Sequence, residues 1–203
     1  MSNILDDLKN VETAKDLMGG ELQQIDRRDL LKLGLLGALG SVVPLLPAKS
    51  ALAASDSTWR VSFHQQHTGE NFDGVYRVGD RYLPEAFERM NYVLRDFRTR
   101  EVFPMDPRVI DIISIIQSKI GTGRPLEILS GYRSPKTNAM LRSASTGVAK
   151  NSFHMYGQAL DIRMPGYNTR SLRNTARSLR AGGVGYYPKS NFVHVDTGTI
   201  RSW

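Results

Sequence analysis

An uncharged, mostly apolar stretch at residues 33–46 follows a pair of arginines, Arg27-Arg28, and leads to Ala51-Leu52-Ala53. Its 14 residues fall short of the roughly 20 that a membrane-spanning helix needs. A basic start, a modest apolar run and a small-x-small site together read as an export signal. Leu30 and Leu31 after the paired arginines, the glycines within the run and Lys49 near its end direct that signal to the twin-arginine route. Cleavage is expected after Ala53, with the polar residues before the arginines as a long n-region. This feature fixes what is left to fold. Residues 54–203, 150 in all, suffice for one domain with one core, delivered already folded to the periplasm and with no stable membrane span.

The composition narrows the chemistry. There is no cysteine, which excludes a disulfide framework and any thiolate site. A transition-metal site must use carboxylates and the four histidines, His64, His67, His154 and His194. With 40% hydrophobic and 23% charged residues, the chain is neither wholly disordered nor a multi-span membrane protein. Six of the 27 Lys and Arg and seven of the 20 Asp and Glu lie in residues 1–53, so the total of +7 leaves +8 on the remainder. A basic exported domain points to an anionic partner such as cell wall or lipid headgroups. No basic run interleaved with aromatics suggests nucleic acid, and a periplasmic address argues against it.

Along this domain, residues 59–64 alternate as a strand, and Asp73-Gly74 and Gly79-Asp80 suggest a hairpin within 69–80. A helix is expected over 85–96, with Phe87, Met90, Tyr92, Val93, Leu94 and Phe97 on its apolar side. Asp106-Pro107 starts a second helix that ends at Gly121. Strands are expected at 126–130, 159–164, 184–187 and 192–196, and helices at 135–141 and 172–179. With helices early and strands late, the fold class is α+β: a small single domain whose mainly antiparallel sheet is flanked by helices.

The informative segment is Ser152-Phe153-His154-Met155-Tyr156-Gly157-Gln158-Ala159-Leu160-Asp161. On one strand, positions seven apart point to opposite faces, so His154 and Asp161 can meet only if the chain turns between them. Gly157 is where that turn would sit. Asp161 lies among core-facing apolar residues, and a carboxylate there must be paired, exposed at one face or bound to a metal. Downstream, His194 and Asp196 share one strand face while Val193 and Val195 take the other. Any one of these histidines alone reads as an ordinary core or surface residue. Taken together, His154, Asp161 and His194 make two imidazoles and a carboxylate, a donor set suited to catalytic zinc with an open fourth position.

The pattern S-x-H-x-x-G-x-A-x-D followed by a late strand histidine resembles the zinc peptidases that group lysostaphin-type enzymes, D-alanyl-D-alanine metallopeptidases and the hedgehog signalling domain. Ser130-Gly131-Tyr132-Arg133-Ser134 is similar to the S-G-Y-R element of the D-alanyl-D-alanine branch. The spacing from Arg133 through His154 to the closing His-Val-Asp-Thr-Gly and Arg201-Ser202-Trp203 looks closest to murein endopeptidases, over residues 58–203. The resemblance implies one zinc ion held by His154, Asp161 and His194. It implies that Arg133 holds the substrate carbonyl oxygen as it gains charge, and that Ser152 contacts substrate or shapes the loop. It also implies hydrolysis of peptide cross-links in peptidoglycan, the direct diaminopimelate–diaminopimelate link among the candidates.

One position departs from the pattern. D-alanyl-D-alanine dipeptidases carry a general-base glutamate three residues before the last ligand, where this chain has Asn191. Asp196 is the favoured replacement by face and proximity. The alternatives are that it orients a ligand, or that it binds the metal while His194 acts as base. His64 and His67 are left for neither role or for a substrate wall. Two other functions stay open: a D,D- or L,D-carboxypeptidase that trims stem peptides, and a zinc-containing murein-binding module without catalysis.

Overall fold

The computed structural model describes residues 57–145 and 147–203. The arginine pair, the apolar stretch and the cleavage site after Ala53 lie outside the described residues. Among those described, no helix is long and apolar enough to cross a membrane.

The described residues open on three strands, β1 (Thr58–Gln65), β2 (Asn71–Val78) and the short β3 (Arg81–Tyr82). Helices α1 (Pro84–Val93) and α2 (Pro107–Ile120) follow, then β4 (Leu126–Ser130) and α3 (Pro135–Ala144). A 3-10 turn (Phe153–Tyr156) leads into β5 (Ala159–Arg163). The chain then runs through α4 (Thr169–Ser178), β6 (Gly183–Tyr187), β7 (Phe192–Asp196) and β8 (Arg201–Ser202). All eight strands form one sheet in the order β3-β2-β1-β4-β5-β7-β6-β8. The β1–β4 and β6–β8 pairs are parallel and the other five antiparallel, so the α+β class with a mainly antiparallel sheet holds.

Local chemistry sets the elements. The Asp106 carboxylate accepts from Arg108 N at the start of α2, Pro107 fills the first turn, and Gly121 closes the helix at φ 67°. Val109, Ile110, Ile113 and Ile116 face inward and are buried. They meet Leu126, Ile128, Leu160, Ile162, Val193 and Val195 from one face of the sheet in a single core. The period of two then sends Asp161, His194 and Asp196 to the other face. The site is the reverse side of the core.

Three expectations change. Asp73-Gly74 lies inside β2, paired with Ser62 and Val61, and the turns on either side of β2 are made at 66–70 and at Gly79-Asp80. The register of β1 needs eight residues of β2, so the earlier dipeptide cannot turn. Helix α1 stops at Val93 instead of running to 96, leaving Phe97 outside it and Tyr92 exposed. The cause is Arg95, which is buried and held by Glu70 through two hydrogen bonds of 2.7 and 3.0 Å. A guanidinium taken from water needs such a partner, and reaching Glu70 turns the chain out of the helix. Finally, the early part holds more strand than expected: among the described residues three strands, β1 to β3, precede the helices.

Candidate metal centre

A single row across the sheet carries most of the site. Ser130 of β4 pairs with Asp161 of β5, Asp161 with His194 of β7, and His194 with Gly185 of β6. His154 arrives from the 3-10 turn, which reverses at Gly157 with φ 64°. That position must be glycine for a second reason: a Cβ would stand 2.3 Å from Pro104 O. The turn expected between His154 and Asp161 is therefore present, and it brings the two side chains together.

His154 Nε2, His194 Nδ1 and Asp161 Oδ1 form a triangle with edges of 3.2, 2.9 and 3.3 Å. All three residues are buried. The far nitrogens settle the tautomers. His154 Nδ1 donates to Gly131 O at 2.8 Å, and His194 Nε2 donates to Asp196 Oδ2 at 3.0 Å. Two imidazole nitrogens and one carboxylate oxygen thus converge in a buried spot, an arrangement that calls for a cation, either a metal ion or a proton. Donors on a tetrahedral zinc at 2.0–2.1 Å stand about 3.3 Å apart, which the triangle nearly matches. These residues fit a metal ion, with one side of the triangle open to the cleft.

The electrostatics follow from burial and mutual contact. Burial would raise Asp161, but His154 and His194 hold its carboxyl far below the usual range. Burial also pulls His194 down, yet the hydrogen bonds to Asp161 and Asp196 prevail and push it up to about 9. His154 is lowered, chiefly by burial, and so stays a neutral donor. Without a metal ion, one proton on His194 relieves the repulsion, and a metal must displace it.

Asp196 stands behind His194, not in the triangle. It is fully buried. Its Oδ1 accepts from Gly183 N, Gly198 N and Arg201 Nη1, and its Oδ2 from His194 Nε2 and Arg201 Nη2, at 2.7–3.2 Å. Burial works against ionisation here, but His194 and Arg201 overcome it and keep the carboxyl strongly lowered.

Arg133 sits in front. Asp96 accepts from Ser134 N at 2.8 Å, and Tyr132 N donates to Leu94 O at 2.8 Å, so the loop that carries Arg133 is tied at both sides. The guanidinium itself is loosely held, at 3.3 Å from Ser130 Oγ, 3.5 Å from Asn138 Oδ1 and 3.8 Å from Asp161 Oδ2. Its Nε is buried with no partner. Ser152, also buried, and Arg133 line one cleft of about 430 Å³ together with His154, Asp161 and His194. Asp161 is the one carboxylate among the described residues lining it.

The family described as peptidoglycan L,D-endopeptidase MepK matches residues 53–203. The chain belongs to this family. It is 41% identical over 178 residues to the peptidoglycan L,D-endopeptidase MepK of Escherichia coli K12, covering 88% of this chain and 97% of that protein. It is 40% identical over 170 residues to the probable peptidoglycan L,D-endopeptidase MepK of Haemophilus influenzae, covering 83% and 91%. Membership of the MepK family makes the chain a peptidase by descent.

The expected residues divide into three places. His154, Asp161 and His194 meet; Arg133 and Ser152 share their cleft; Asp196 lies one shell back. Asn191, at φ 53°, bonds Thr169 in the turn before β7 and stays outside the cluster. His64 bonds Asn71, and His67 stacks on Phe97, so neither joins the site. Sequence reasoning missed Tyr187 and the roles of Arg201 and Trp203. The Trp203 ring lies 5.4 Å from that of His194, and its Nε1 donates to Tyr187 Oη at 2.9 Å. Only the small residue Gly185 opposite His194 hinted at this, since any Cβ there would strike Trp203 at 2.8 Å.

Proposed function

We propose that the protein is a zinc-dependent peptidoglycan endopeptidase of the periplasm that opens L,D-type peptide cross-links, the direct diaminopimelate–diaminopimelate link among them. The observation that carries this reading is the convergence of two imidazole nitrogens and a carboxylate oxygen beside a loosely held arginine, in a chain of the MepK family. Both named relatives are L,D-endopeptidases by description, which supports the bond type. The leader with its arginine pair and Ala51-Leu52-Ala53 supports export by the twin-arginine route, with residues 54–203 as the working domain.

A zinc ion on His154 Nε2, Asp161 Oδ1 and His194 Nδ1 would supply a Lewis acid and a bound water acidified to a pKa of about 7. The chain's own groups do the rest. Gly131 O and Asp196 Oδ2 each hold the far nitrogen of a ligand histidine, fixing ring orientation and tautomer. Arg133, whose Nη groups make only long contacts to Ser130 and Asn138, turns its guanidinium to a peptide carbonyl oxygen as it gains charge. Ser152 lines the wall where the peptide would lie.

In this reading Asp196 positions His194 and does not serve as the base, because both its oxygens are occupied and none of it reaches the cleft. Tyr187 Oη accepts from Trp203, so its own proton is free for the leaving amine.

The test incubates the zinc-loaded protein and His154→Ala with purified sacculi rich in both cross-link types, with and without chelator, and reads the products by mass spectrometry. Conversion of dimers to monomers that requires zinc and His154 is expected. Intact dimers with shortened stems would make it a carboxypeptidase. No hydrolysis by the folded, zinc-loaded protein would make it a binding module.

A further inference from the structure

We infer that α4 presents an arginine stripe that docks the enzyme on the peptidoglycan polymer, through the free carboxylates of its stem peptides, at a surface separate from the cleft. The inference rests on the proposed peptidoglycan substrate. Arg170, Arg173 and Arg177 recur at intervals of three and four along one face of α4, and Arg180 follows in the turn after it. At 1.5 Å per residue the helical part of the stripe, Arg170 to Arg177, is about 10 Å long.

The stripe lies in a stretch of sequence with no acidic residue to match it. Between Asp161 and Asp196 the sequence has no acidic residue, although it holds five arginines and a lysine. Several arginines elsewhere are paired: Arg60 with Asp73, Arg77 with Asp80 and Asp111, Arg95 with Glu70, Arg163 with Glu127. Among the described residues no carboxylate reaches salt-bridge distance of any of the four on this stripe. Arg170, Arg177 and Arg180 are exposed, while Arg173 lies over the Tyr186 ring at 4.8 Å, which stiffens the middle of the row. Four like charges in one row repel one another, so the row favours a multivalent anion that relieves the repulsion. Guanidinium forks match carboxylates well.

Both ends of the stripe are joined to the walls of the cleft. At the start of α4, Thr169 bonds Asn191, and the neighbouring Ser190 lines the cleft. At the other end, Arg177 and Arg180 share a shallow groove with Arg201 and Ser202 of β8, which delivers Trp203 to the cleft. A polymer held along α4 would therefore stay close to the active side of the sheet, raising the local concentration of cross-links.

The test compares the wild-type protein with the triple variant Arg170→Gln, Arg177→Gln, Arg180→Gln and with the corresponding triple lysine variant. Cosedimentation with sacculi at low and high salt is measured beside hydrolysis of soluble cross-linked muropeptide dimers and binding to vesicles containing phosphatidylglycerol. The glutamine variant should bind sacculi about tenfold more weakly at low salt and lose most of the salt dependence, with dimer hydrolysis within about twofold of wild type. The lysine variant should keep most of the binding. Unchanged cosedimentation of the glutamine variant overturns the inference. So does a loss confined to vesicles, which would assign the stripe to a lipid surface. If sacculus binding falls as expected but no variant, wild type included, cleaves dimers, the docking stands and the endopeptidase reading fails.

Discussion

Replacing Gly131 with alanine would test whether a contact with the chain at Leu94 governs the metal centre. A Cβ at position 131 would lie 2.4 Å from Leu94 O and 3.1 Å from Leu94 C. Separation by about 0.6 Å is needed merely to reach 3.0 Å, and the obstacle is backbone. That carbonyl cannot step aside freely, because Tyr132 N already donates to it at 2.8 Å. Gly131 must move instead, and its own carbonyl is the acceptor for His154 Nδ1 at 2.8 Å. Overpacking of this kind costs about 1–3 kcal/mol, or roughly 3–10 °C in melting temperature for a domain of this size. Loss of the hydrogen bond behind a ligand histidine lowers metal affinity by about 10–100-fold. Zinc affinity from chelator competition and thermal unfolding of the metal-free protein read the two effects separately. Gly74→Ala is the control, since its Cβ would meet only Phe72 at an ordinary 3.6 Å. A Gly131→Ala protein with wild-type zinc affinity and melting temperature would refute the argument.

Asp196→Ala should weaken zinc binding about 10–100-fold and leave His194 free to adopt either tautomer, which nitrogen-15 NMR of the imidazoles would read; unchanged affinity and tautomer would return Asp196 to the role of base. Asp96 supplies a pH test. Burial opposes its ionisation, but hydrogen bonds from Thr137, Ser134 and the backbone of Arg98 win and lower it to about 2 from 3.8. A depressed folded-state pKa gives stability that is present above 3.8 and lost as pH falls toward 2. Denaturant unfolding should therefore lose about 2 kcal/mol across that window, and Asp96→Asn should lose less there. Tyr187→Phe should lower kcat on cross-linked muropeptides by about 10–100-fold with zinc affinity unchanged; an unaltered kcat would remove the phenol from the reaction.

The meeting of His154, Asp161 and His194 was legible because its evidence is local. Period-two alternation on 159–163 and 192–196 fixes which residues leave the core, and the seven-residue interval between His154 and Asp161 demands a turn that Gly157 can make. The strand order was not legible in the same way. Nothing in Thr58–Gln65 announces a parallel partner in β4, because pairing across such a separation is decided by burial of both faces together. The end of α1 was misread for a related reason. Arg95 looks like a surface residue until Glu70, 25 positions away, is known to receive it.

Asp196 is the most instructive case. Face and proximity to His194 are one-dimensional facts, and they fit a base, a ligand and a positioning group equally well. What separates the three is the number of donors around the carboxylate, and those come from Gly183, Gly198 and Arg201 on other segments. The two glycines are required at those places. A Cβ at Gly183 would lie 2.5 Å from Asp196 Oδ2, and one at Gly198 would lie 3.0 Å from Oδ1. Their amides can reach the carboxylate only because no side chain intervenes. Gly198 of the closing His-Val-Asp-Thr-Gly, and Arg201 after it, thus belong to the device that holds His194. Both support the candidate metal centre through Asp196, without touching it themselves.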